Sequence, residues 1–243
     1  MKKPSTISCM TYEIFTDNLE VLPSDGKMTI NTINQYSYCM AEKDAQFKQA
    51  LQSSDVLLPD GVGIVIAAAW LKEKKVKKIA GADLHTFLLN RLNQEQGSCF
   101  YMGSSKITLE RIEQRLAKEY PNIRVASYSP PFKKEFTSED NIAIISKVNA
   151  FQPDVLFVGM TAPKQEKWSL EHKDALDVNG PICAIGAVFD FYAGTVTRPG
   201  QIWQNLGLEW LGRLFKEPKR MWKRYIYYGA VFSGHLIKEK VKN

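Results

Sequence analysis

The residue best placed to do chemistry in this 243-residue chain is Asp60, in the stretch Leu57-Leu58-Pro59-Asp60-Gly61-Val62-Gly63. Residues 55–58 read as the end of a short buried strand, stopped by a proline. A tight turn with two glycines follows, and a helix of good formers opens at about Val62. In an α/β protein such a strand–turn–helix corner lies at the carboxyl end of the sheet, where ligands bind. An acid there faces the cleft, and helix amides pointing the same way can receive a phosphate. Asp60 is therefore the candidate catalytic base. Asp is also a favoured N-cap, so the local pattern leaves catalysis and capping both open. Gly61-x-Gly63 is an incomplete dinucleotide fingerprint: its third glycine would fall at Ile66, and no acid stands about 20 residues on in a ribose-binding context.

Other polar groups stand at similar corners. Thr32 and Asn34 close a strand over 27–33, and their spacing of two puts them on one face of it. Asn34 serves equally as N-cap of a helix over about 36–51. Pro163 suits the first turn of a helix, so Lys164 and Gln165 lie at its amino end, after the apolar strand 153–159. The three histidines are far apart and no Asp-x-Asp occurs, so no metal or other cofactor is expected. The four cysteines are scattered without a CxxC, as suits free thiols in a reducing cytosol.

These corners need elements to hold them. After the helix that opens at Val62, the run 72–78 is a basic, solvated close to it, where cations suit the dipole. Asp83 stands near the start of a helix reaching Asn93. Strands over 99–102, 123–127 and 181–186 alternate with helices over 106–120 and 139–151. Short strands alternating with helices give an α/β, Rossmann-like and predominantly parallel sheet with helices on both faces.

The length suits one large α/β domain with an appendage. With 44% apolar and 24% charged residues the chain is an ordinary globular one. No signal peptide is legible, and no stretch reaches the roughly 20 apolar residues of a membrane span. The net charge of +6 is unevenly placed: residues 198–243 carry ten Lys/Arg and three Asp/Glu, a net of +7, leaving −1 for residues 1–197. The expected division is a catalytic core over 1–197 and a basic helical tail over 198–243. Three of the five tryptophans (Trp203, Trp210, Trp222) fall in that tail, interleaved with cations. Pro218 separates helices near 206–216 and 219–237. The apolar run 225–237 is too short to span a bilayer but long enough to lie in its surface. Aromatics with basics suit an anionic headgroup layer; packing on the core or on a subunit partner is the other reading, which leaves a homo-oligomer open. No RNA-binding motif accompanies the tail, so nucleic acid is not an expected partner.

Six segments in order carry a resemblance: Thr32-Ile-Asn34, Leu58-Pro-Asp60-Gly-Val-Gly63, Gly81-Ala-Asp83-Leu84, Gly159-Met-Thr-Ala-Pro163-Lys-Gln-Glu-Lys-Trp168, Gly186-Ala-Val-Phe-Asp190-Phe-Tyr-Ala-Gly194 and Gly207-Leu-Glu-Trp-Leu-Gly-Arg213-Leu-Phe-Lys-Glu-Pro218. With them the chain resembles the WecG/TagA/CpsF family of bacterial glycosyltransferases, from about Thr29 to Tyr225. The resemblance implies an inverting, metal-independent transfer of N-acetylmannosamine or its uronic acid. The implied donor is a UDP-sugar, and the acceptor an undecaprenyl-diphosphate-linked sugar at the cytoplasmic membrane face. It implies that Asp60 is the base, that Thr32 and Asn34 line the pocket, that Gln165 belongs to the donor-side motif, and that Arg213, Arg220 and Arg224 meet the lipid diphosphate. Where the family has arginine before the Gly-x-Asp-Leu motif, this chain has Lys78, which keeps the charge without the bidentate fork. Lys78 and Lys164 are the cations available to a departing UDP. The competing readings are a nucleotide-dependent oxidoreductase on a Rossmann sheet and a non-catalytic scaffold recruited to membranes by its tail.

Overall fold

A computed structural model describes residues 4–196 and 221–242. Its centre is a six-stranded, wholly parallel sheet of β3 (Met28–Ile33), β4 (Val56–Pro59), β5 (Ser98–Gly103), β6 (Arg124–Tyr128), β7 (Val155–Gly159) and β8 (Pro181–Ala184). The strands lie in the order β4-β3-β8-β7-β5-β6. β4, β5, β7 and β8 are buried along their whole length. That burial explains why they read as unbroken apolar runs rather than alternating ones.

Helices cover both faces, as the strand–helix alternation requires. α4 (Gly81–Glu95), α5 (Lys106–Glu119) and α8 (Val188–Tyr192) close one core, around Leu88, Ile112, Phe157 and Phe189. On the other face α6 (Ser138–Phe151) and α7 (Lys164–His172) pack over Leu156, Val158 and Ile182. Near β4, a third cluster joins α1 (Gln35–Ala41), α2 (Ala45–Gln52) and α3 (Val62–Lys72). The single helix expected over 36–51 is thus two. Asp44 breaks it by capping α2, its carboxylate accepting from the Phe47 amide at 3.0 Å.

Two features were not anticipated. An antiparallel hairpin, β1 (Thr6–Cys9) and β2 (Tyr12–Phe15), packs against β4 beyond the sheet edge and buries Tyr12, Ile14 and Phe15. The basic run also leaves the helix: α3 stops at Lys72, Glu73 takes a left-handed conformation, and Val76 and Ile79 are buried as the chain runs back alongside β4.

The tail is described from Met221. A π-helical turn, Lys223–Tyr227, leads into α9 (Tyr228–Lys242). This helix lies on α1 and α3, with Phe232 and Leu236 buried in their cluster. The helix expected near 206–216 lies outside the described residues. Among the described residues no helix is long and apolar enough to cross a membrane. All four cysteines are free and buried, and burial pushes the Cys9 and Cys39 thiols up to about 11.

Packing is tight where the sheet meets α8. A Cβ on Gly159 would stand 2.4 Å from the Phe189 ring. Gly159→Ala should therefore cost about 1–3 kcal/mol of stability by overpacking. That corresponds to a fall of several degrees in melting temperature, readable by calorimetry, with Phe189→Leu in the same chain restoring part of it.

Candidate active site

All six parallel strands bring their carboxyl ends to one edge of the sheet, and the candidate residues are strung along it. β3 and β4 pair in parallel register up to Ile33 opposite Pro59. The Asp60 amide then donates to the Ile33 carbonyl at 2.8 Å, and the Ile79 amide donates to the Pro59 carbonyl at 3.0 Å. Backbone bonds alone therefore set Asp60 between Asn34 on one side and Lys78 on the other. Thr32, Asn34, Asp60 and Lys78 are all half-buried there. Asp60 stands one residue before the N-cap position of α3, which is Gly61.

Asn34 does cap its helix. Its Oδ1 accepts from the amides of Tyr36 and Ser37, both at 3.0 Å, while Ser37 Oγ accepts from the Asn34 amide at 2.8 Å. The cap leaves Asn34 Nδ2 unused. The two readings of Asn34 coincide, since its extended backbone (φ −135°) continues the strand while its oxygen starts the helix.

The glycine pair has a local purpose. A Cβ on Gly61 would lie 3.0 Å from Gln35 Oε1, and one on Gly63 3.2 Å from the same atom. Gly61 also has φ +147°, which a residue with a side chain rarely adopts. The glycines let Gln35, the first residue of α1, lie against the amino end of α3. That space is filled by protein, which removes the dinucleotide reading of Gly61-x-Gly63.

Arg224 joins this cluster from the tail. Its guanidinium stands 4.7 Å from the centre of the Tyr36 ring, a cation–π contact, and Tyr36 packs edge-on against Tyr228 at 5.0 Å. Arg213 and Arg220 lie outside the described residues.

Lys164 and Gln165 stand at the end of β7, two strand spacings from β3, about 10 Å. Lys164 Nζ donates to the Lys133 carbonyl at 2.6 Å and sits over the Phe136 ring. It clamps the loop between β6 and α6, and burial holds its pKa below the usual lysine range. Gln165 is buried. Its Oε1 accepts from the Met160 amide at 3.2 Å, and its Nε2 donates to Glu166 Oε1 at 2.9 Å. Its amide is thus engaged in holding the β7–α7 turn. A Cβ on Gly186 would come within 3.3 Å of its oxygen, so the β8–α8 corner closes over the same side chain.

Glu166 was not anticipated. An acid in the first turn of a helix reads as an exposed complement to the dipole, whereas Glu166 is buried, with Oε2 unpartnered. Burial pushes its carboxyl up to about 7, against the hydrogen bond from Gln165. Gln35 was missed for a similar reason, since nothing in its neighbourhood marks it as filling a corner. Among the described residues no three His, Cys, Asp or Glu side chains gather into a group that could hold a metal ion.

A six-stranded parallel sheet covered by helices, with the candidate polar side chains at its carboxyl edge, is an α/β scaffold of the Rossmann-like kind. The chain belongs to the WecG/TagA/CpsF family of glycosyl transferases, whose profile it matches over residues 4–243, and it is a glycosyltransferase. It is 31% identical over 230 residues to the N-acetylglucosaminyldiphosphoundecaprenol N-acetyl-beta-D-mannosaminyltransferase of Bacillus subtilis (strain 168), covering 94% of this chain and 87% of that one. The protein of the same name from Bacillus spizizenii (strain ATCC 23059 / NRRL B-14472 / W23) is 30% identical over 186 residues, 76% of this chain and 70% of that one.

Glu166 gives a test by pH. The folded chain holds its proton more tightly than the unfolded one, whose value is near 4.5. Its contribution is therefore most favourable below that value, is lost as pH rises towards about 7, and stays lost above it. Glu166→Gln keeps an acceptor for Gln165 and removes the titration. The variant should gain stability relative to wild type between about pH 5 and 7, by up to about 3 kcal/mol, with a constant difference above that. The opposite slope from His85, whose burial depresses its pKa to about 3, is common to both proteins and cancels. Paired urea titrations across pH read the difference.

Proposed function

We propose that this protein is an inverting glycosyltransferase acting on a polyprenyl-linked acceptor. It moves N-acetylmannosamine, or a related hexose or uronic acid, from a UDP-sugar to an undecaprenyl-diphosphate-linked sugar, in building a surface polysaccharide or wall polymer. The observation that carries the reading is the Asp60 corner. An acid one residue before its helix's N-cap is held by backbone bonds between Asn34 and Lys78, in a chain whose relatives are named mannosaminyltransferases of N-acetylglucosaminyldiphosphoundecaprenol.

In this reading Asp60 takes the proton of the acceptor hydroxyl as its oxygen attacks the anomeric carbon. The bond from that carbon to the UDP oxygen breaks, the electron pair leaves with UDP, and the configuration inverts. Thr32 and Asn34 Nδ2 orient the sugar beside the base. Gln165 acts by holding the β7–α7 turn in shape, and Lys164 by fixing the loop from β6 against it. Lys78 and the amino ends of helices at this edge supply positive potential for the departing diphosphate. Arg224, with Arg213 and Arg220, meets the diphosphate of the lipid acceptor. The tail keeps the enzyme peripheral on the anionic cytoplasmic face of the membrane, each cation near that surface contributing about 1 kcal/mol.

A panel of UDP-sugars offered with a prenyl-diphosphate-GlcNAc acceptor, read by product mass, tests the substrates; no product from any pair would sink the proposal. Asp60→Asn is nearly isosteric yet accepts no proton. It should melt as wild type does and lose about 100- to 10,000-fold in turnover; near-normal turnover would remove Asp60 from the chemistry. The same assay with EDTA should run at an unchanged rate, and an activity that returns only with Mg²⁺ or Mn²⁺ would refute metal independence.

A further inference from the structure

We propose that the outer face of α3 is itself a membrane-docking surface, continuous with that of α9, and that the two helices together seat the Asp60 corner on a layer of anionic lipid headgroups. The proposal rests on the reading of a lipid-linked acceptor and extends it from the tail to the core. Val62, Ile66 and Trp70 are 39%, 53% and 44% exposed. Spaced by four, they form one stripe along the helix, opposite the buried Ile64 and Ala68. A single exposed isoleucine is ordinary. Here the tail carries a second apolar stripe: Trp222 and Ile226, at the π-helical turn leading into α9, and Ile237 and Val241, on α9 itself, are 52%, 52%, 54% and 82% exposed.

The stripes adjoin because the helices touch at both ends. Phe232 comes within 3.4 Å of a Cβ on Gly63, and Lys240 Nζ donates to the Trp70 carbonyl at 3.1 Å. Ile237 and Val241 flank Lys240 on α9 and so stand on the turns next to Trp70.

The charge around this surface chooses its occupant. Residues 62–78 and 221–242 carry ten Lys/Arg against two Glu, and Lys72, Lys74, Lys75, Lys77, Lys238 and Lys242 are exposed. Ten like charges oppose pairing with a second copy of the same face and complement an anionic surface. Apolar side chains rimmed by lysines, with indoles among them, match the boundary between headgroups and acyl chains.

The position of α3 gives docking a consequence. The helix begins two residues after Asp60, and Val62 to Trp70 spans about 12 Å. A membrane held against this stripe keeps Asp60 within a few turns of helix from the headgroup plane, where the diphosphate of a polyprenyl acceptor lies.

The full chain should float with vesicles of phosphatidylglycerol and phosphatidylcholine (3:7) and at least tenfold less with phosphatidylcholine alone. Ile66→Glu/Trp70→Glu should weaken the first partition at least tenfold and slow turnover of a vesicle-embedded acceptor in step, leaving kcat/KM on a short-chain soluble acceptor unchanged. Ile66→Gln/Trp70→Gln, which adds no charge, should show the same direction and guards against misfolding of the first variant. If both variants bind vesicles as wild type does, while Ile237→Glu/Val241→Glu does not, α3 has no part in docking and the lipid-linked reading survives. Equal binding to both vesicle types would overturn the anionic partner. A wild-type dimer that the α3 variants dissociate, seen by light scattering, would overturn the lipid occupant in favour of a second copy. Should no acceptor turn over, the proposed function fails, and the vesicle measurements still decide the surface.

Discussion

The carboxyl edge of this protein depends on β3 and β4 running parallel and stopping together. Pro59 pairs opposite Ile33 at the end of the ladder, and its carbonyl, facing away from β3, takes the Ile79 amide from the returning chain. The next amide, that of Asp60, closes against Ile33. Three segments distant in sequence are thereby fixed by bonds that involve no side chain. The side chains of Thr32, Asn34, Asp60 and Lys78 are gathered half-buried at this edge, and the oxygen of Asn34 caps α1. Positioning by backbone at the end of a buried sheet suits a base that must meet a substrate hydroxyl within hydrogen-bonding reach.

The opposite edge uses acids differently. Asp55 stands just before β4, and its carboxylate accepts from the amide and hydroxyl of Thr29 at the start of β3, at 2.7 and 3.0 Å. Asp154 does the same for Ser98 at the start of β5, at 2.8 and 2.7 Å. Burial opposes ionisation at both. Lys173 and Thr29 hold Asp55 below the usual carboxylate range, and Ser98 and Asn179 hold Asp154 there. Each carboxylate satisfies an amide at the start of a strand that would otherwise lack a partner. Acids at the amino ends of strands thus fasten the sheet.

Between the two edges lies a small set of buried polar groups that shape rather than react. Gln165 joins the end of β7 to Glu166, and His85 meets the Tyr101 hydroxyl at 2.6 Å inside a ring of aromatics. Such groups are costly unless partnered, so their bonds specify how helices seat on the sheet. The tail joins the same economy of contacts: Tyr38, Phe232 and Tyr228 bind α9 to α1, which carries Arg224 over Tyr36, beside Asn34.

The parallel sheet and most of its helices were legible from local pattern. Strands such as Val155–Gly159 are continuous apolar runs bounded by proline and glycine, and helices such as Lys106–Glu119 are long and periodic, so burial period and punctuation sufficed. The gathering of Asp60, Thr32 and Asn34 at one edge was legible because each sits at a strand's carboxyl end, a position that sequence order alone defines in an α/β chain. Tertiary structure decided the rest. Where α3 opens depended on where the turn closes, and there Gln35 packs against Gly61 and Gly63 between two helices. The hairpin over Thr6–Phe15 has strands of four residues, too short for periodicity to separate from loop. Glu166 looks like a surface acid because charge patterning sees one helix, whereas its burial is made by the neighbours of α7. The same holds for α3 and α9. Their sequences show apolar runs beside lysines, but only the contacts at Phe232 and Lys240 determine which side chains are buried in the core and which form an exposed face.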